Sequence, residues 1–126
     1  MKLLDTNKIP GSLAQYSRCA IVGNIVFFSG MVGVNKEGVV VADGIAEQAR
    51  TIFGNLEILL EEAGLQKTNI CKLNIYIAEM DSDKFTAFNE VYARWIGDHR
   101  PCRTAIGVYS LPRGGAVEIE AIAELA

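Results

Sequence analysis

Two short runs hold the residues best suited to chemistry. Arg100-Pro101-Cys102-Arg103-Thr104-Ala105 places a cation at the start of an otherwise apolar segment, and Val117-Glu118-Ile119-Glu120 sets two carboxylates two residues apart. The guanidinium of Arg103 there either reaches out to solvent or meets an anion in a partly buried place. In an extended segment Glu118 and Glu120 share one face, opposite Val117 and Ile119. Taken alone, an exposed ion pair is the plainer reading, because such pairs are common and weak.

Other chemistries find less support. His99 is the sole histidine and Cys19, Cys71 and Cys102 are scattered without a CxxC pair, so local spacing supplies no tetrahedral metal site. His99 follows Gly97-Asp98, and a histidine at a helix end is the bland reading there. No GxxxxGK[ST] loop, GxSxG elbow or strand-GxGxxG-helix unit occurs. Twelve Lys+Arg against fifteen Asp+Glu give a net charge of −3, which argues against nucleic acid as a partner.

A chain of 126 residues predicts one domain over its whole length. With 50% hydrophobic and 21% charged residues it lies far from the composition of disordered chains. Apolar runs such as Ile25-Val26-Phe27-Phe28 fall well short of the ~20 residues a membrane helix needs, so no membrane association is expected. Met1-Lys2-Leu3-Leu4-Asp5 reaches an aspartate before a secretory apolar stretch forms, and three unpaired cysteines suit a reducing compartment. A cytoplasmic location is the resulting expectation.

Positioning these residues falls to a few periodic segments. Ile45, Ala49, Ile52, Phe53, Leu56, Leu59, Leu60 and Ala63 recur at helical spacing, with Asp43 as a possible cap and Gly64 as a left-handed stop. A second helix is predicted over 83–96, with Phe85, Phe88, Tyr92, Trp95 and Ile96 on its core face and Gly97 ending it. Cys71, Leu73, Ile75 and Ile77 alternate with polar residues as a strand does. Segments 20–22 and 25–30 flank Gly23-Asn24 as a hairpin, 39–41 predicts a short third strand, and 103–109 and 116–123 flank the turn-rich 110–115. The class is α/β, with a sheet of five or six strands. Two helices cover only one face, so apolar residues on the other face predict a homo-oligomer built sheet to sheet.

Gln15-Tyr16-Ser17, Val26-Phe27-Phe28-Ser29-Gly30, Asn89-Glu90-Val91-Tyr92, Arg100-Pro101-Cys102-Arg103-Thr104 and Val117-Glu118-Ile119-Glu120-Ala121-Ile122-Ala123 together resemble the Rid (YjgF) family of enamine/imine deaminases. The resemblance spans nearly the whole chain. It implies a chorismate-mutase-like fold, with a mixed sheet and two helices on one face, and a homotrimer whose sheets form a central barrel. It also implies pockets between subunits that hydrolyse 2-imino acids to 2-oxo acids and ammonia without a cofactor. By that likeness Arg103 anchors the substrate carboxylate and Glu118 orients water, its pKa lowered by the nearby arginine. Tyr16, Ser29, Gly30, Asn89 and Ala105 match pocket positions.

Two departures stand out against the family pattern. Gln15 occupies the place of a frequent proline before the tyrosine, and Ala105 that of a frequent cysteine, leaving only backbone groups to act there. Cys102 should face away from Arg103 and is a poor substitute for the missing thiol. A trimeric module that binds small carboxylates without turnover is the alternative, but a carboxylate beside the anchoring arginine gains nothing for binding alone. RNA cleavage, attached to parts of this family, is disfavoured by the negative charge and the lack of a basic-aromatic stripe.

Overall fold

In the computed structural model, which describes residues 1–12, 14–42 and 44–125, the elements run β1 (Lys2–Leu4), β2 (Cys19–Val22), β3 (Ile25–Val32), α1 (Gly44–Glu62), β4 (Ile70–Ala78), α2 (Ser82–Ile96), β5 (Cys102–Val108) and β6 (Val117–Glu124). Gly23, at φ +61°, closes the predicted β2–β3 hairpin, a left-handed conformation that glycine adopts without strain. The strands form one mixed sheet in the order β1-β2-β3-β6-β4-β5. Only β4 and β5 run parallel, because α2 carries the chain back across the sheet between them.

Both helices end where their sequences signal. After α1, Gly64 takes φ +74°, its N–H bonds the Glu61 carbonyl and the Leu65 N–H reaches back to Leu60, the double bond of a Schellman cap. The Asp43 cap lies outside the described residues. Asp81 caps α2, its carboxylate accepting the Lys84 N–H at 2.8 Å, so this helix starts slightly earlier than predicted.

Strand alternation divides the sheet into two unlike faces. Val26 and Phe28 of β3, Leu73, Ile75 and Ile77 of β4, and Val117, Ile119, Ala121 and Ala123 of β6 are buried beneath the helices. Phe53 of α1 lies at the centre of the interhelical contact, stacked 4.2 Å from the Trp95 ring and 6.1 and 6.2 Å from those of Phe88 and Tyr92. The opposite face carries Phe27 and Ile122 as direct cross-strand partners, then Lys72, Asn74, Tyr76, Glu118 and Glu120. Register puts Leu3, Val22, Ile25 and Ile106 on this face too, and Leu3, Val22, Phe27 and Ile106 are exposed, so apolar residues lie on both faces of the sheet as expected, Val117 and Ile119 pointing at the helices.

Two local expectations need correction. Residues 39–41 form no strand: a single Val34–Val40 bridge closes a tight loop in which the Asn35 side chain accepts the N–H groups of Glu37 and Val39. The loop folds back on itself, the Asn35 N–H donating to the Val39 carbonyl at 2.9 Å, and the pairing does not extend beyond the single bridge. Lys2–Leu4, which shows no periodicity over three residues, nevertheless pairs antiparallel with β2 at the sheet edge.

Truncating the aromatic centre, Phe53→Ala, should cost about 3–5 kcal/mol, because the rings around it cannot collapse into the void. Urea unfolding checks this: the midpoint should fall sharply at an unchanged slope.

Candidate functional site

The expected site residues fall into two groups on opposite faces of the sheet. Arg103 pairs in register with Leu73 and so projects on the helix side. There its Nη1 donates to the Asn89 side-chain oxygen at 2.8 Å, and its guanidinium lies 4.9 Å from the Tyr92 ring centroid and 5.9 Å from that of Phe85. Phe85, Asn89 and Tyr92 succeed one another at i, i+4 and i+7, one stripe of α2, so the helix itself holds the arginine. Ala105, two residues on, shares the Arg103 face.

The second group surrounds Glu118. Tyr16, Ser29, Gly30, Glu118 and Glu120 line one cavity of about 530 Å³, together with Arg18 and Arg113. A β-bulge shapes it. Phe28 pairs with Ala121 and Met31 with Ile119, so Ser29 and Gly30 together oppose the single residue Glu120. Ser29 is fastened by its hydroxyl to the Ser17 carbonyl at 2.6 Å and by its N–H to the Arg18 carbonyl at 2.9 Å. At Gly30 a Cβ would come 2.5 Å from Glu118 Oε1, so glycine is what lets the carboxylate lie against the strand.

Glu118 and Glu120 share a face but not an environment. Glu120 Oε1 accepts the Tyr76 hydroxyl at 2.6 Å and the Asn74 amide at 3.0 Å. This bond to the carboxylate pushes the Tyr76 phenol upward. Glu118 has no such donor among the described residues, and burial, reinforced by the Glu120 charge, raises its carboxyl above the ordinary range. The expected lowering by arginine is absent within the chain because Arg103 lies across the sheet. Nor do the two residues form an ion pair.

Several contributors escaped the sequence reading. Tyr76 and Asn74 looked like the plain polar side of a strand, and Phe85 and Tyr92 like core alone. Asn89 interrupting an aromatic helical stripe was the available signal. Cys102 pairs with Lys72 in register, on the face away from Arg103, as alternation predicts. His99 bonds the Ile70 carbonyl at 2.7 Å, and the Cys19 thiol is pushed up to about 11 by burial, so neither belongs to the site.

Comparison with known proteins gives this geometry a family. The profile described as Endoribonuclease L-PSP matches residues 6–125. A RutC family protein of Aquifex aeolicus is 39% identical over 98% of each chain. The human 2-iminobutanoate/2-iminopropanoate deaminase is 32% identical over 97% of this chain and 88% of its own. Among solved structures, RidA of an Antarctic Psychrobacter superimposes with a TM-score of 0.91 at 33% identity, covering 99% of this chain and 100% of that one. E. coli TdcF with bound serine gives 0.91 at 32% identity over 100% of both. The chain belongs to the Rid/YjgF/RutC family and has its chorismate-mutase-like α/β fold.

Because the Glu120 charge adds to the burial of Glu118, Glu120→Gln should lower the Glu118 pKa. A carboxyl-carbon NMR titration reads it directly: the Glu118 midpoint should move to lower pH, whereas an unmoved midpoint would assign the shift to burial alone.

Proposed function

We propose that the protein hydrolyses 2-imino acids to 2-oxo acids and ammonia, at sites assembled between the subunits of a homotrimer. One observation carries this reading: the arginine group and the glutamate group are each locally built, yet lie on opposite faces of a sheet. β5, which bears Arg103, is an edge strand, and an edge is a natural place for a second subunit to dock. Phe27 and Ile122 on the open face give that neighbour an apolar footing, with Phe27 44% exposed in the lone chain. The deaminases among the relatives support the chemistry.

In this scheme Arg103 of one subunit holds the substrate carboxylate, with Asn89 fixing one arm of its planar fork. The protonated imine carbon then faces Glu118 of the next subunit. Glu118 takes a proton from water as the water oxygen bonds to the imine carbon, giving a carbinolamine. The same carboxyl returns the proton to nitrogen, then takes the hydroxyl proton as the C=O bond forms and the C–N bond breaks, and hands it to the departing ammonia, so that the 2-oxo acid and ammonium leave. A base raised above the ordinary carboxylate range is better matched to neutral pH, and an iminium is electrophilic enough for a carboxylate to suffice. No step requires the thiol that Ala105 replaces.

An amino-acid dehydratase coupled to the purified protein tests the reaction: 2-oxo acid should form faster than by uncatalysed hydrolysis. Arg103→Lys keeps the charge but loses the fork, and should lower kcat/KM about ten- to a hundredfold. Glu118→Gln should lower kcat about a hundredfold or more while 2-oxo acids still bind. If calorimetry instead shows that Glu118→Gln abolishes 2-oxo acid binding as fully as Arg103→Ala, Glu118 supports the arginine structurally and the enzyme reading fails.

A further inference from the structure

Arg18 is one of two polar or charged side chains buried among the described residues, at 6% exposure, and the chemistry above makes no use of it. It lines the cavity of Glu118. Gln48, the other, is accounted for by its bond to the Ala116 N–H at 2.7 Å. Arg113, the second cation on the cavity wall, donates to the Gly38 carbonyl at 3.0 Å. Among the described residues Arg18 has no comparable commitment. The ion pairs among the described residues are Lys8 with Glu62, Arg50 with Glu47 and Lys67 with Glu57, and no hydrogen bond from the Arg18 side chain to protein occurs among them.

The neighbouring carboxylates do not neutralise it. Glu120 is engaged by Tyr76 and Asn74, and Glu118 is raised by burial with no offset from any arginine. Ser12 Oγ is the one fully enclosed, unpartnered side-chain polar atom among the described residues, so the guanidinium of Arg18, though the residue is largely buried, keeps an opening through which an acceptor can reach its five donors and permanent charge. An anion that enters the cavity supplies both the acceptors and the countercharge. The same cavity wall carries Glu118, which suits the cationic iminium end of a ligand. The cavity is therefore dipolar, with an acid for the reacting nitrogen and a cation set apart for a second anionic group.

We infer that Arg18 receives a second carboxylate, so that the ligands favoured by this protein are 2-imino and 2-oxo acids with an acidic side chain. The inference rests on the proposed function for the placement of the reacting end, with Arg103 retaining the carboxylate next to the imine. Arg18 then determines specificity and leaves the hydrolytic steps to Glu118. It follows that the reactions supplying the substrate are those that oxidise or dehydrate amino acids bearing an acidic side chain.

Calorimetry with 2-oxoglutarate and 2-oxobutanoate, stable keto acids with and without the second carboxylate, tests the assignment without requiring turnover. The wild type should bind the dicarboxylate at least about tenfold more tightly. Arg18→Gln should reduce that ratio to about one, and Arg18→Lys should restore part of it. Equal wild-type affinities, no measurable binding of the dicarboxylate, or an Arg18→Gln ratio unchanged from wild type would overturn the assignment. Equal wild-type affinities would also be the outcome if a neighbouring subunit's carboxylate occupied the guanidinium, and the wild-type ratio stands as a test even if the variants fail to fold. A wild type that shows the preference yet gives no 2-oxo acid in the dehydratase-coupled assay would overturn the deaminase reading and leave the Arg18 assignment intact.

Discussion

Alternation along a β-strand is the constraint on which the rest of this molecule depends. Arg103 is in register with Leu73 on the helix side, whereas Glu118 is in register with Tyr76 on the open side, and no rotamer carries a side chain through a sheet. Each group is therefore built up from its own layer. The arginine is fixed by the amide and aromatic stripe of α2, and the glutamate by the bulge at Ser29 and Gly30. In the proposed trimer a second copy is what would bring the two groups together.

The environment of each group is suited to a different state of charge. Arg103 lies against two aromatic rings, which favour a cation while leaving part of its fork free. Glu118 is half-buried beside a second carboxylate and, among the described residues, has none of the donors that stabilise Glu120, so its ionised form is disfavoured. Raised carboxyls of this kind are held in place by the surrounding fold at some cost to stability, which is characteristic of working sites. The close approach at Gly30 belongs to the same design, since a side chain there would displace the carboxylate.

Local patterns carried most of the fold. The two helices, the Gly23-Asn24 hairpin and the 70–78 strand are each written in periodicity plus an end signal, as the Leu65–Leu60 bond after Gly64 illustrates. What escaped was set by tertiary context. Lys2–Leu4 becomes a strand only because β2 offers it an edge, and Val39–Val41 fails to become one because Asn35 turns the chain back first. The site followed the same division. Residue types and family likeness singled out Arg103 and Glu118, but their separation depends on the register of three strands, which no local pattern encodes. Arg18 went unremarked because its burial follows from the loop and the cavity around it and has no signature of its own.

The most direct test mixes two variants of strongly reduced activity. Arg103→Ala and Glu118→Gln subunits, unfolded together in equal amounts and refolded, should regain activity, because about a quarter of intersubunit sites in a random trimer then draw Arg103 from one parent and Glu118 from the other. Each variant refolded alone should stay at its own low residual level. A mixture no more active than its parents would place both groups in one subunit's site and contradict the division of the site across the sheet.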